Sequence, residues 1–234
     1  MFPDLNALDA TALVVFVTIW LAYNTLFDGW LLRPNSINAK MVAVREAWMR
    51  RMLRRDNRIV DATLIGHSIR SATFFASTTI LVIAGLVGVI GSAEMVHGAV
   101  VNLSVFLRTG SQVLFEFKIF MLISIFIYAF FKFTWAIRQF NYFSAIIGSA
   151  PDVDEGPVED ELARSMALIL SHAVWQLNAG IRAYYFGLAA LGWFIHPLFF
   201  VIMTVLMTAV LVRRQLTSPT SRGIADHVSC IGRR

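Results

Sequence analysis

The chain has 234 residues, 57% of them hydrophobic and 15% charged, with a formal net charge of +5 and a mean hydropathy of +0.66. That balance excludes an ordinary soluble domain, and its basic residues flank apolar runs, which points to lipid headgroups and not to nucleic acid. The single cysteine, Cys230, excludes an internal disulfide and a cysteine metal site.

Four apolar runs are long enough to cross a bilayer, at about 8–30, 72–91, 116–137 and 183–212. The first begins in MFPDLNALDA, with no positive n-region and no small-residue cleavage site, and reads as a retained anchor. Trp30 and Arg33 suit an interface, Pro34 stops the helix, and Asn35 or Ser36 can cap the next. The insert 36–70 follows. Met41, Val44, Trp48 and Met52 fall at helical spacing, with Lys40, Arg45, Arg50, Arg51, Arg54 and Arg55 elsewhere. Such a helix either lies on anionic lipid with Trp48 inserted or packs on a neighbour in the cytosol.

From Asn57 a polar, basic stretch turns without proline into the second run, so 57–91 reads as one helix, first in water and then in lipid. Thr73, Ser77, Ala84, Gly88 and Gly91 share a face that allows close helix contact. Alternatively, Ser71, Ser77, Thr78 and Thr79 line a polar path. The loop to Leu114, with Glu94, His97, Asn102 and Arg108, is expected to hold a short interfacial helix. The third run is rich in phenylalanine, with Glu116 and Lys118 at its outer end and Lys132 nearer the inner one. Lys132 snorkels to the headgroups or, if buried, pairs with Asp28 at similar depth on the first run.

The second insert, 152–182, opens with acidic residues and continues as an amphipathic helix. Its charge complements the basic first insert. The fourth run carries His196-Pro197 near its middle, where proline should bend the helix. His196 then lies roughly 21 Å along the helix from Arg182, a depth at which ionisable groups are costly. It either bonds a carbonyl freed by the bend or lines a path that its protonation gates. The tail 217–234 is rich in Ser, Thr, Pro and Gly and is expected to be disordered.

Nine Lys and Arg fall between the first and second runs and three, Arg138, Arg164 and Arg182, between the third and fourth, whereas the loop between the second and third runs has only Arg108. This places the inserts in the cytosol and both termini outside. Arg213, Arg214, Arg222, Arg233 and Arg234 run against that placement.

A shift of 112 residues sets Ile69-Arg70-Ser71-Ala72 on Ile181-Arg182-Ala183-Tyr184 and the first run on the third. It suggests a parallel internal duplication. The pieces HSIRSATFFASTTILVIAGL, FKFTWAIRQFNYFSAIIGSAP and GIRAYYFGLAALGWFIHP resemble the bacterial membrane family called domain of unknown function 599, from about Leu13 to Leu216. The resemblance implies a four-span inner-membrane protein and brings no activity with it.

No Walker loop, GxSxG, HExxH or paired-cysteine motif occurs, so neither an enzyme nor a cofactor is expected. Two readings of function follow. One is a homo-oligomer with a path for ions or small solutes, with His196, Lys132, Asp28, Ser77 and Thr78 as its candidate polar residues. The other is a non-catalytic scaffold that binds a membrane complex or anionic lipid through Trp48, Arg50, Arg51, Arg54, Arg55, Arg70 and Arg182.

Overall fold

A computed structural model describes residues 6–28, 36–92, 111–151 and 160–231, apart from the side chain of Asp28. The expected interfacial helix after Ser92, the interface residues Trp30 and Arg33, and much of the acidic linker lie outside the described residues. The described chain is all helix and connecting turns: α1 (Ala7–Asp28), α2 (Ile37–Met52), α3 (Ile59–Gly91), α4 (Gln112–Gly148), α5 (Asp160–Leu191), a 3-10 turn (Gly192–Phe194), α6 (Pro197–Leu216) and α7 (Pro219–Ile231). Four stretches are long and apolar enough to cross a membrane: Ala7–Phe27, Ile59–Gly91, Gln112–Gly148 and Pro197–Ile231, the last through α6.

The helices start where short polar side chains can satisfy their first N–H groups. Ser36 Oγ accepts from the Ala39 N–H at the head of α2, and Ser111 Oγ from the Leu114 N–H at the head of α4. α4 and α5 form the spine. A Cβ placed on Gly180 of α5 would lie 2.5 Å from the Phe133 ring of α4, so only glycine lets the two helices approach this closely. α1 and α4 run in one direction, and α3 and α5 run back.

The fourth apolar run differs from its expected form. It is a hairpin and not a single bent span. α5 stops at Leu191, the chain turns through Gly192–Phe194, and His196 adopts an extended backbone (φ −163°, ψ 144°) before Pro197 opens α6. Proline's fixed φ and missing N–H suit a first helical position, and Gly192 lies close enough to Phe200 that a side chain there would press on its backbone. The chain therefore reverses where proline alone suggested a kink.

Two expectations fall with it. Asp9 of α1 is bonded at the hairpin end, whereas α7 packs beside α2 at the other end, with Lys40 Nζ 3.4 Å from Ser221 Oγ. The two ends of the described chain thus lie at opposite ends of the bundle, not on one side. The tail, expected to be disordered, folds as far as Ile231 into α7, because the α2 surface gives it a partner. The proposed duplication matches in helix direction only. The break at 53–58 before α3 corresponds to continuous helix in α5, and the break at 192–196 corresponds to continuous helix in α3.

Among the described residues two large cores and a small one, Phe115, Ile119 and Ile123 of α4, hold the bundle. Phe16, Phe186, Trp193 and Phe200 are fully buried toward the hairpin end, with Phe126 and Ala190. Met49, Met52, Ile65, Phe140, Phe143 and Met166 fill the α2 end.

Candidate functional site

The hairpin determines what meets at the α2 end. α6 returns alongside α5 and brings Arg214 to Tyr185, whose hydroxyl accepts from Arg214 Nη1 at 2.5 Å. One turn earlier on α5 stands Arg182. It is 5% exposed, with its guanidinium 5.8 Å from the centre of the Tyr23 ring. These two arginines line a pocket of about 290 Å³ between α1, α2, α5, α6 and α7. Asn38, Asn178, Gln215, Ser218 and Thr220 supply the rest of its polar wall. Among the described lining residues none is acidic. Asn178 Nδ2 donates to Asn38 Oδ1 at 2.9 Å, which ties the first turn of α2 to α5.

Asn38 also lines a second pocket, of about 190 Å³, with Asn24, Ser36, Trp175, Gln176 and Lys132. Lys132 Nζ sits 5.3 Å from the Tyr128 ring centre. A third and more open depression, of about 550 Å³, shares Tyr128, Lys132 and Gln176 and adds Trp135 and Arg138. Lys132, Arg138, Arg182 and Arg214 therefore form a cationic belt across three adjoining depressions, with Arg138 roughly 9 Å along α4 from Lys132, backed by amides and aromatic rings.

Of the residues singled out from sequence, Arg182 and Lys132 belong to this belt. The side chain of Asp28 lies outside the described residues, and with it the suggested pair with Lys132. His196 is displaced from its expected mid-membrane position to the hairpin end, where its Nδ1 accepts from the Leu198 N–H at 3.1 Å and caps α6. It lines none of the three pockets. Ser77 faces outward, and Thr78 donates to the Phe74 carbonyl of its own helix. The inward hydroxyl is the neighbouring Thr79, which is buried and 2.8 Å from Tyr184 Oη. The interior between α1, α4, α5 and α6 is filled by stacked rings, among them Trp20 on Phe186 and Trp193 on Phe200 at 5.2 Å each.

Trp48 is not turned out for lipid. Its indole N–H donates to Asp61 Oδ1 at 2.6 Å, and Arg55 Nη1 donates to both oxygens of the same carboxylate at 2.9 and 3.0 Å. Asp61 is wholly buried, so this trio pins the start of α3 to the end of α2. Arg50 meets Glu46 at 2.6 Å and Asp160, at the head of α5, at 2.9 Å. The two inserts do attract each other within one chain, through exposed pairs that contribute little stability. Arg51, Arg54 and Arg70 are exposed, and Arg70 lies 3.3 Å from His67 Nδ1.

Sequence reasoning missed Arg214, because a single span would carry it to the far side. It also missed Arg45, which faces inward from α2 and donates to Ser171 Oγ at 3.1 Å; burial pushes its guanidinium down to about 10. A third omission is the group at the hairpin end. There Trp193 Nε1 donates to Asp9 Oδ1 at 2.7 Å, and Lys118 Nζ to the Trp193 carbonyl at 2.9 Å. Asp9, Lys118 and Trp193 are all buried, and together they staple the turn to α1 and α4.

A bundle with four membrane-length helices and a cationic belt near one end has the make-up of a polytopic membrane protein. The chain belongs to the family described as "Protein of unknown function, DUF599", whose model matches residues 11–220. No curated protein and no solved structure matches it.

Proposed function

We propose that this is a multi-pass protein of the bacterial inner membrane, with its α2 end in the cytosol, that acts as a non-catalytic scaffold bound to anionic phospholipid at that surface. The observation that carries this reading is the belt: four cations line three adjoining pockets that have no acidic residue in their described walls. Basic pockets between membrane helices on the cytoplasmic side suit anionic headgroups. The hairpin supports the same orientation. Arg213, Arg214 and Arg222, which opposed the charge rule for a single final span, join Arg51 and Arg54 at the α2 end.

The test uses the full-length protein in nanodiscs of matched acyl chains, anionic against zwitterionic. Anionic lipid should be enriched around the wild-type protein and lose its advantage as salt is raised. Changing Lys132, Arg138 and Arg214 together to Gln should remove most of the enrichment. Unaltered enrichment in that variant rejects the reading.

A second reading has its own observation. The small-residue face of α3 is open: Thr73, Ser77, Ala84 and Gly88 are exposed, and a Cβ on Gly85 or Gly88 meets nothing within 4 Å. Such a face accepts another helix closely, which fits self-association through α3. Any path for ions or solutes would then run between copies, since aromatic rings fill the interior of one chain. Gly88→Leu should shift an oligomer toward monomer in mild detergent; an unchanged oligomer size removes this reading.

A further inference from the structure

We propose that α3 is the docking surface for a second copy of this chain, which lays its own α3 alongside in parallel on a seam running from Val60 to Gly88. The inference rests on the self-association reading and deepens it. It adds the direction, the register and a half of the interface that lies outside lipid.

The seam follows from the spacing. Positions 60, 64, 67, 71, 74, 78, 81, 85 and 88 advance by four and three residues in turn, the step of a coiled-coil contact. All are exposed except Thr78, which is half-buried. The far side of the helix carries the buried Asp61, Ile65, Ala72, Ala76 and Thr79, through which α3 holds to the rest of its own chain. A strict seven-residue repeat on a free face suits a left-handed pair of helices.

Lipid does not account for the first half of this stripe. The 33 residues of α3 rise about 50 Å, and a hydrocarbon core takes up about 30 Å of that. The excess falls at the α2 end, where Arg58, Arg70 and the Asp61 anchor stand and where Ile65 packs with Met49, Phe143 and Met166. Yet Ile59, Val60 and Leu64 are 70%, 66% and 48% exposed there. An apolar patch of this kind, beyond the reach of acyl chains, calls for a protein cover. In the lipid half the seam narrows from Phe74 and Leu81 to Gly85 and Gly88. A Cβ on either glycine meets nothing within 4 Å, so a partner backbone can come close.

Symmetry and area point to a second copy as the cover. Copies of one chain share one topology, so their α3 helices run in the same direction. A two-fold axis along the membrane normal then sets each seam residue against its own counterpart. The seam allows this, since no Lys, Arg, Asp or Glu occupies it and Arg70 stands beside it. A strip about 50 Å long and about 10 Å wide covers about 500 Å² on each copy, about 1,000 Å² together, the size at which a specific interface becomes stable. The lipid half alone, about 30 Å long, would supply only about 600 Å². The half in water brings the pair to the threshold.

The experiment uses full-length single-cysteine variants in a Cys230→Ser background, treated in native membranes with a short bifunctional thiol reagent. Leu64→Cys and Leu81→Cys, on the seam, should each give a covalent dimer of the chain. Ala62→Cys and Ile80→Cys, exposed but off the seam, should give none. Val60→Asp with Leu64→Asp, both at exposed positions, should weaken the dimer at least about tenfold in mild detergent, because apolar contacts are lost and like charges are set against each other.

An oligomer that persists in the double Asp variant, with Leu64→Cys linking no better than Ala62→Cys, would overturn the seam and leave self-association standing. A wild-type chain that is monomeric in mild detergent, with no dimer from any cysteine variant, would overturn both. Linking of Leu64→Cys to a different protein, with no dimer of the chain, would overturn the second copy as the occupant in favour of another protein.

Discussion

α3 and α5 begin their apolar halves with nearly the same words, Ile69-Arg70-Ser71-Ala72 and Ile181-Arg182-Ala183-Tyr184, and end in opposite circumstances. α3 packs chiefly on α4 and shows much of its length to the surroundings. α5 is enclosed by α4, α2 and α6. Arg70 is exposed beside His67, whereas Arg182 is buried at the back of a pocket. Farther along, α3 continues unbroken through Ala84-Gly85, while α5 has ended and the matching His196-Pro197 starts a new helix. A short motif makes helix in both places. What the arginine does is decided by the neighbours that arrive from elsewhere in the chain.

The two helices differ most at their glycines. Gly180 of α5 faces the Phe133 ring with no room for a Cβ, whereas Gly85 of α3 meets nothing within 4 Å. Gly180→Leu should cost about 3 kcal/mol of stability or prevent folding, through overpacking. Gly85→Ala should be neutral or stabilise by up to about 1 kcal/mol, from helix propensity. Thermal unfolding in one detergent reads both. Equal effects would mean that α3 is enclosed as tightly as α5.

α3 is fastened at its first turn, and this is the next largest effect. Asp61→Ala should cost about 2 kcal/mol, because the Trp48 N–H loses its acceptor and Arg55 its bidentate partner. Protease cleavage in the stretch between Met52 and Ile59 should rise with it. An unaltered cleavage rate would show that the apolar length of α3 holds it without this anchor.

The hairpin sharpens the contrast more gently. His196→Ala should cost about 1 kcal/mol, the ordinary loss of a helix cap. Retention of full stability would remove the capping role.

The smallest effects belong to two arginines that differ from Arg182. Arg70→Gln should stay within about 0.5 kcal/mol of wild type, as exposed substitutions do. Arg45→Met should be neutral or stabilise by about 1 kcal/mol, since burial disfavours the charge of Arg45, and an apolar side chain of similar size can fill its place. Strong destabilisation by Arg45→Met would show that its bond to Ser171 outweighs the cost of burying the guanidinium.

Much of the helical architecture is legible in the sequence. Length and hydropathy mark the membrane-length runs, and the lack of proline across 57–91 marks α3 as a single long helix. Capping by Ser36 also follows from local chemistry. The hairpin does not, because its decisive element is the pairing of Gly192 with Pro197 around a buried Trp193. That pairing becomes readable only when Asp9 and Lys118 are known to be waiting there.

The candidate site was half legible for the same reason. Counting along one helix is enough to expect Arg182 at the cytosolic headgroup level and Lys132 about two turns inside it, within reach by snorkelling. Arg214 needs the chain to turn back, which no periodicity records. Trp48 shows the reverse case. An amphipathic face marks it as a group to bury, and only the fold tells that it is half-buried with its indole bonded to Asp61.

The chain reverses at 192–196 and returns α7 to α2. The reversal is tested by cross-linking Lys40→Cys to Ser221→Cys in a Cys230→Ser background, in native membranes, with a bifunctional thiol reagent whose spacer replaces the length of the lysine side chain. The polar tips of Lys40 and Ser221 lie 3.4 Å apart, so the bridged pair should link within one chain and give a monomer of altered mobility. A control pair, Asp9→Cys with Ser221→Cys, should not link. If the first pair fails to link while the second does, the final apolar run crosses only once and the hairpin is wrong.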